Sequence, residues 1–235
     1  LFDRHGRGLQ LTDAGRIAFT YANDMISLGR DLMNALEDQP TARPLKLTVG
    51  IADVIPKSVV RHLLQPALRI KPTIRLICRE DKGDRLLADL AAGRVDVVLS
   101  DAPIGTGVHL QGFNHLLVEC GVSFLAAAEL AAKYRRRFPQ SLHGAPMLLP
   151  SDHTTVRQSL NAWFDALRIR PLVLGEFDDT ALMLSIAQQG LGIVPFPSLV
   201  AGAAQREMHV VAVGNTEEAR ERFYAISPAA KPDHP

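Results

Sequence analysis

Five strand-like segments of this chain end in acidic residues, and carboxylates gathered that way suit a cation or a polyol better than an anion. The segments close on Ala52-Asp53-Val54, Glu80-Asp81, Ser100-Asp101, Pro150-Ser151-Asp152 and Phe177-Asp178-Asp179, and Thr154 and Thr155 follow the fourth. In an open α/β sheet, ligands sit beyond the carboxyl ends of the strands, beside helix N-termini. If two halves of such a fold face each other, these ends meet in one cleft. The candidate binding residues are therefore Ala52, Asp53, Val54, Glu80, Ser100, Asp101, Ser151, Thr154, Thr155, Asp178 and Asp179. An aspartate at a strand end also serves as a helix cap, and at this level both roles stand.

A second patch suits phosphate. Arg4, Arg7 and Arg16, with His5, surround Gly6 and Gly8. Glycines permit a tight hairpin turn, and arginines beside it neutralise a phosphate backbone as counterions leave. The same string also reads as an exposed basic loop. The chain as a whole carries a net charge of +1, so a nucleic-acid contact has to be local. Enzyme signatures are missing: there is no CxxC, HExxH, Walker loop or G-x-S-x-G elbow, and the eight histidines are scattered singly. Neither a cofactor nor a catalytic residue is expected. Cys78 and Cys120 lie in apolar runs and read as reduced core residues of a cytoplasmic protein. Arg157, one turn into its helix, either reaches the cleft or pairs with an acidic neighbour. Arg135-Arg136-Arg137 fits the end of a helix.

With 47% apolar and 22% charged residues over 235 positions, the chain can bury a core of one large or two medium domains. No apolar run is long enough to span a bilayer, so no membrane partner is expected. Thr12 is a good N-cap, and helical periodicity runs from there to about Leu36. Ile17, Tyr21, Met25, Leu28, Leu32 and Ala35 form a narrow heptad seam, suited to a partner helix. The two-proline stretch over 39–44 reads as a hinge. Strands then alternate with helices. Strands are expected at 45–52, 73–80, 95–101, 116–126, 146–149, 171–177, 192–197, 209–214 and 222–227, with helices between most of them. That order predicts α/β architecture with a parallel sheet.

The string LFDRHGRGLQLTDAGR closely resembles the end of the winged helix-turn-helix domain of LysR-type transcriptional regulators, where it runs into the linker helix. The stretches TVGIADVIPKSVVRHLLQPAL, RLICREDKGDRLLADLAAGRVDVVLSDAP and RERFYAIS are similar to activators of sodium/proton antiporter operons within that family. The resemblance implies a bilobed, periplasmic-binding-protein-like effector domain behind a wing remnant and a long linker helix. The divisions expected are 1–10 for the wing remnant, 11–38 for the dimerisation helix, 39–44 for the hinge and 45–235 for the effector domain. Lobe 1 would take about 45–118 plus 228–235, and lobe 2 about 119–227. It further implies Arg4, Arg7 and Arg16 at the DNA backbone and promoter DNA as partner of the full-length protein. A homodimer or homotetramer and a sodium or lithium effector follow, with Asp53 and Asp101 as possible alkali-cation ligands. Most of the helix-turn-helix and the family's final helix are not in this sequence. The competing reading is a solute-binding protein of a transport system, which shares the bilobed fold.

Overall fold

The computed structural model describes residues 1–5, 8–15, 17–19, 21, 22, 25, 26, 29, 45–70, 74–105 and 110–229. It divides into two compact units, Leu1–Arg43 and Pro44–Pro235. In the first, β1 (Phe2–His5) and β2 (Gly8–Leu11) pair antiparallel with His5 opposite Gly8, the hairpin that the glycine spacing predicts. Thr12 does act as a cap: its Oγ1 accepts the Gly15 N–H at 3.0 Å. The described positions from 13 to 29 are helical, and this helix is α1. Ile17, Tyr21 and Met25 on it are exposed. Arg7, Arg16, Leu28, Leu32, Ala35, the 39–44 hinge and 230–235 lie outside the described residues.

The second unit begins with β3 (Leu45–Ala52), whose β-branched and apolar residues suit a doubly covered strand. It pairs parallel with β4 (Ile74–Asp81) on one side and β5 (Val97–Ser100) on the other. The connecting helices are α2 (Lys57–Leu64) and α3 (Gly83–Ala91). Pro56 precedes the first turn of α2, where its missing N–H has no partner to lose. Gly93 follows α3 at φ 68°, a conformation in which glycine escapes the Cβ clash.

From there the sheet stops being parallel. β6 (Gly112–Ala126) and β10 (Val211–Pro228) are long antiparallel partners, and the full order is β4-β3-β5-β10-β6-β9. The separate strands expected at 209–214 and 222–227 are one strand, joined through a register shift between Thr216 and Arg220. The largely polar run 215–221 hid that continuity. The second α/β half carries α4 (Ala128–Arg135), β7 (Pro146–Pro150), α5 (Thr155–Ala166), β8 (Leu172–Phe177), α6 (Thr180–Gln188), β9 (Val194–Pro197) and α7 (Ser198–Met208). β7 and β8 pair parallel. Gly190, at φ 79°, terminates α6 in the left-handed conformation expected there.

Two apolar clusters hold these layers. One runs through β3, β5, α2 and α3 and continues into α6, β9 and α7. The other centres on Phe124, whose ring stacks on Trp163 at 5.5 Å and meets Phe138 at 5.6 Å and Phe164 at 6.3 Å. Cys120 is buried as expected, but Cys78 is exposed. β4 is an edge strand, and Cys78 faces an open groove of about 790 Å3 with Arg61, His62 and Arg206 instead of the core.

Gly121 sits where β6 meets the register shift. A Cβ there would lie 2.3 Å from the Thr216 carbonyl oxygen, which backbone cannot yield cheaply. Gly121→Ala should therefore lower stability by about 1–3 kcal/mol in urea unfolding; an unchanged midpoint would show that the crossing of β6 and β10 tolerates a side chain.

Candidate functional site

The strand ends of the two halves surround a cavity of about 20 Å3, room for roughly one water-sized particle. Val54 and Pro56 line it from the β3–α2 turn, Pro150, Thr154 and Val156 from the β7–α5 turn, and Phe177, Asp178 and Thr180 from the β8–α6 turn. The larger groove beside Cys78 holds none of the expected strand-end residues. The smaller cavity is the one that the topology builds from strand termini.

Several expected residues do meet here. Thr154 caps α5, with its Oγ1 accepting the Arg157 N–H at 3.3 Å and donating to the Ser151 carbonyl at 2.8 Å. Thr155 Oγ1 donates to Asp101 Oδ2 at 2.8 Å, a bond that ties the end of β5 to the start of α5. Asp178 is exposed at the rim, 3.9 Å from His153 Nε2. Others are occupied elsewhere. Asp179 caps α6, accepting from the N–H groups of Ala181 and Leu182. Glu80 pairs with Lys57. Ser100 Oγ accepts the Ala102 N–H, and the Ala52 carbonyl accepts the Ile55 N–H. Asp53 is exposed, its N–H bonded to the Asp81 carbonyl.

Arg157 takes the second of its two readings. Its guanidinium donates to Asn161 Oδ1, the Pro150 carbonyl and Glu176 Oε1, so it braces β7 and β8 against α5. Arg135 is likewise structural, donating to the Ala212 carbonyl.

The residue that sequence reasoning passed over is Glu221. It stands on β10 opposite Cys120, is 8% exposed and lines the cavity, yet makes no hydrogen bond or ion pair with the described residues. Burial, and then the Asp101 charge, push its carboxyl from the usual 4.5 up to about 8. Its neighbours point the other way: Arg220 and Arg222 both bind Glu119 on the exposed face, at 2.9 and 3.1 Å. Those two guanidiniums, Arg222 foremost, hold the Glu119 carboxyl below its usual range. The signal was in the alternation: after the register shift Ala219, Glu221 and Phe223 are buried while Arg220 and Arg222 are exposed, so Glu221 occupies an inward position.

Residues 43–235 match the family model for the LysR substrate binding domain. The chain belongs to the LysR family of transcriptional regulators. It is 30% identical to the transcriptional activator protein NhaR of Escherichia coli over 235 residues, all of this chain and 77% of that protein. It is 25% identical to the nitrogen assimilation regulatory protein nac of Escherichia coli over 205 residues, 86% of this chain and 65% of that one. Among solved structures, the LysR family regulator CbnR matches with a TM-score of 0.67 at 17% identity, over 98% of this chain and 80% of that chain. The reduced regulatory domain of OxyR2 from Vibrio vulnificus matches with a TM-score of 0.62 at 15% identity, over 80% and 89%. At those identities the structures show the fold, the LysR effector-binding, periplasmic-binding-protein-like one. The cavity described above therefore lies in the effector-binding domain of a LysR-type regulator. Among the described residues no helix is long and apolar enough to cross a membrane.

Glu221 gives this LysR domain a pH signature. Between about 4.5 and about 8 the unfolded chain has released a proton that the folded chain keeps, so stability falls as pH rises through that window and levels off above it. Glu221→Gln should flatten this slope in urea unfolding at pH 5, 6.5 and 8, and leave the variant more stable than its parent at pH 8. An undiminished slope in the variant would place the proton elsewhere.

Proposed function

We propose that this chain is the sensing and oligomerising part of a cytoplasmic, non-enzymatic activator of an antiporter operon, with sodium or lithium as effector. The observation that carries the effector reading is the composition of the cavity. Its polar lining is Thr154, Thr180, Asp178 and Glu221, with no cationic side chain among the lining residues. Oxygen donors of this kind suit hard cations, whereas an anionic effector would meet carboxylates. The similarity to NhaR, 30% over the whole chain, supports the operon class.

In this reading residues 1–10 close a winged DNA-binding domain of the full-length protein, and Arg4, Arg7 and Arg16 contact the backbone of promoter DNA. Residues 11–38 pair with a second copy along Ile17, Tyr21, Met25, Leu28, Leu32 and Ala35. Residues 45–235 sense the effector. The exposure of Ile17, Tyr21 and Met25 in the single chain supports the pairing role. An effector that binds one angle between the halves more tightly than another shifts the population of regulator states on DNA.

Thermal unfolding in sodium, lithium and potassium chlorides and in potassium salts of small carboxylates tests the effector class. Sodium and lithium should raise the midpoint beyond potassium at equal ionic strength; stabilisation by a carboxylate, with sodium and lithium no better than potassium, would remove the cation reading. Met25→Glu tests the seam: light scattering should show a smaller assembly than the parent, and an unchanged mass would remove the helix from the interface.

A further inference from the structure

Glu221 is the one polar side chain lining the cavity that is more than nine-tenths buried and bonded to nothing among the described residues. Thr154, also buried there, has both its hydrogen-bond roles filled. An orphan carboxyl inside a protein is expensive, because burial removes water without supplying a donor. The lysine and arginines next in sequence to the cavity-lining residues are engaged elsewhere. Arg220 and Arg222 hold Glu119, Arg157 holds Glu176 and Pro150, and Lys57 holds Glu80. The charge that acts on Glu221 is the negative one of Asp101, and Asp178 lines the same cavity.

We propose that Glu221 is the anionic ligand of the effector cleft, binding a small monovalent cation directly through its carboxylate and so fixing the sign of charge that the cleft accepts. The proposal rests on the reading of this cleft as a cation-effector site and assigns that site its central residue. Size argues for a monatomic ion. A space of about 20 Å3 admits one such particle and leaves no room for a metabolite in this arrangement. The donor set argues for a monovalent one. Among the described residues no three His, Cys, Asp or Glu side chains gather as a metal-binding set. One carboxylate, once it has lost its proton and is completed by hydroxyl and carbonyl oxygens, is a weak site that suits sodium or lithium.

Position explains how occupancy reaches the rest of the fold. Glu221 lies on β10, the strand that pairs with β5 of the first half and with β6, which runs on to β9 of the second. Asp101, whose charge presses on Glu221, is the acceptor of the Thr155 bond that joins the halves. A cation on Glu221 relieves that repulsion beside the Asp101–Thr155 bond. Occupancy of one carboxylate is thereby coupled to the contact between halves.

The test uses the full chain at pH 8.5 in a choline chloride background, with sodium, lithium, potassium or magnesium chloride exchanged in at constant ionic strength. Thermal unfolding and sodium-23 line width are read for the parent, Glu221→Gln and Glu221→Asp. The parent should be stabilised by sodium and lithium and broaden the sodium line. Glu221→Gln should still unfold cooperatively but need about tenfold more sodium, or lose the response entirely, and Glu221→Asp should keep a weakened one. A sodium response in Glu221→Gln equal to the parent's would overturn this assignment while leaving the cation reading of the cleft intact. A parent indifferent to sodium and lithium, or stabilised by magnesium alone, would overturn both.

Discussion

β6 and β10 lie antiparallel from Gly112 opposite Pro228 at one end to Ala126 opposite Val211 at the other, and the arrangement of both halves follows from that pairing. Each strand contributes to the first half at one end and to the second at the other, so the backbone hydrogen bonds between them cannot be given up without orphaning buried donors. Near the middle, β10 carries extra residues between Thr216 and Arg220, while β6 answers with Gly121, which has no Cβ to strike the displaced carbonyl. A bulge of this kind re-aims the side chains that follow it. Here it sets the phase in which Glu221 faces the cleft and Arg220 and Arg222 face out. A slip of one residue would reverse that, burying two guanidiniums and exposing the carboxylate.

Two electrostatic situations therefore stand back to back on one strand pair. On the outer face, Glu119 is held between Arg220 and Arg222 where water screens all three, so the fork fixes geometry more than it adds stability. On the inner face, Glu221 lines the cavity and is bonded to none of the described residues, and the core around Val98, Phe223 and Phe196 beside it is well buried. If a cation binds there as proposed, this buried carboxyl becomes a place for ligand-linked stability. The Asp101–Thr155 bond is made between elements of different halves, and in the proposed reading it carries that linkage from one half to the other.

The strands and helices were largely legible because each half alternates β-branched runs with amphipathic helices punctuated by Gly93, Gly190 and the prolines. The rule that ligands sit at strand ends led to Val54, Thr154 and Asp178, which do line the cavity. It could not separate them from Asp179, because a helix cap and a cleft wall occupy the same kind of position. Nor could it show that Glu80 is taken by Lys57, a pairing set by the register of β4 against β3 and the start of α2. Cys78 read as core because its strand is apolar in composition, while its edge position is a matter of sheet order. Glu221 was missed for a related reason: the charged run from Glu217 to Arg222 looks like a loop until the bulge restores the alternation through Ala219 and Phe223.

The account depends on Glu221 being buried without a partner at the crossing of β6 and β10, and its carboxyl can be followed directly by carbon-13 NMR of the full chain labelled at glutamate, with Glu221→Gln to assign the resonance. In sodium-free solution the Glu221 carboxyl should titrate near 8, far above the usual 4.5. A midpoint within the ordinary carboxylate range would mean that water or a cationic side chain already serves the group, and would contradict the account.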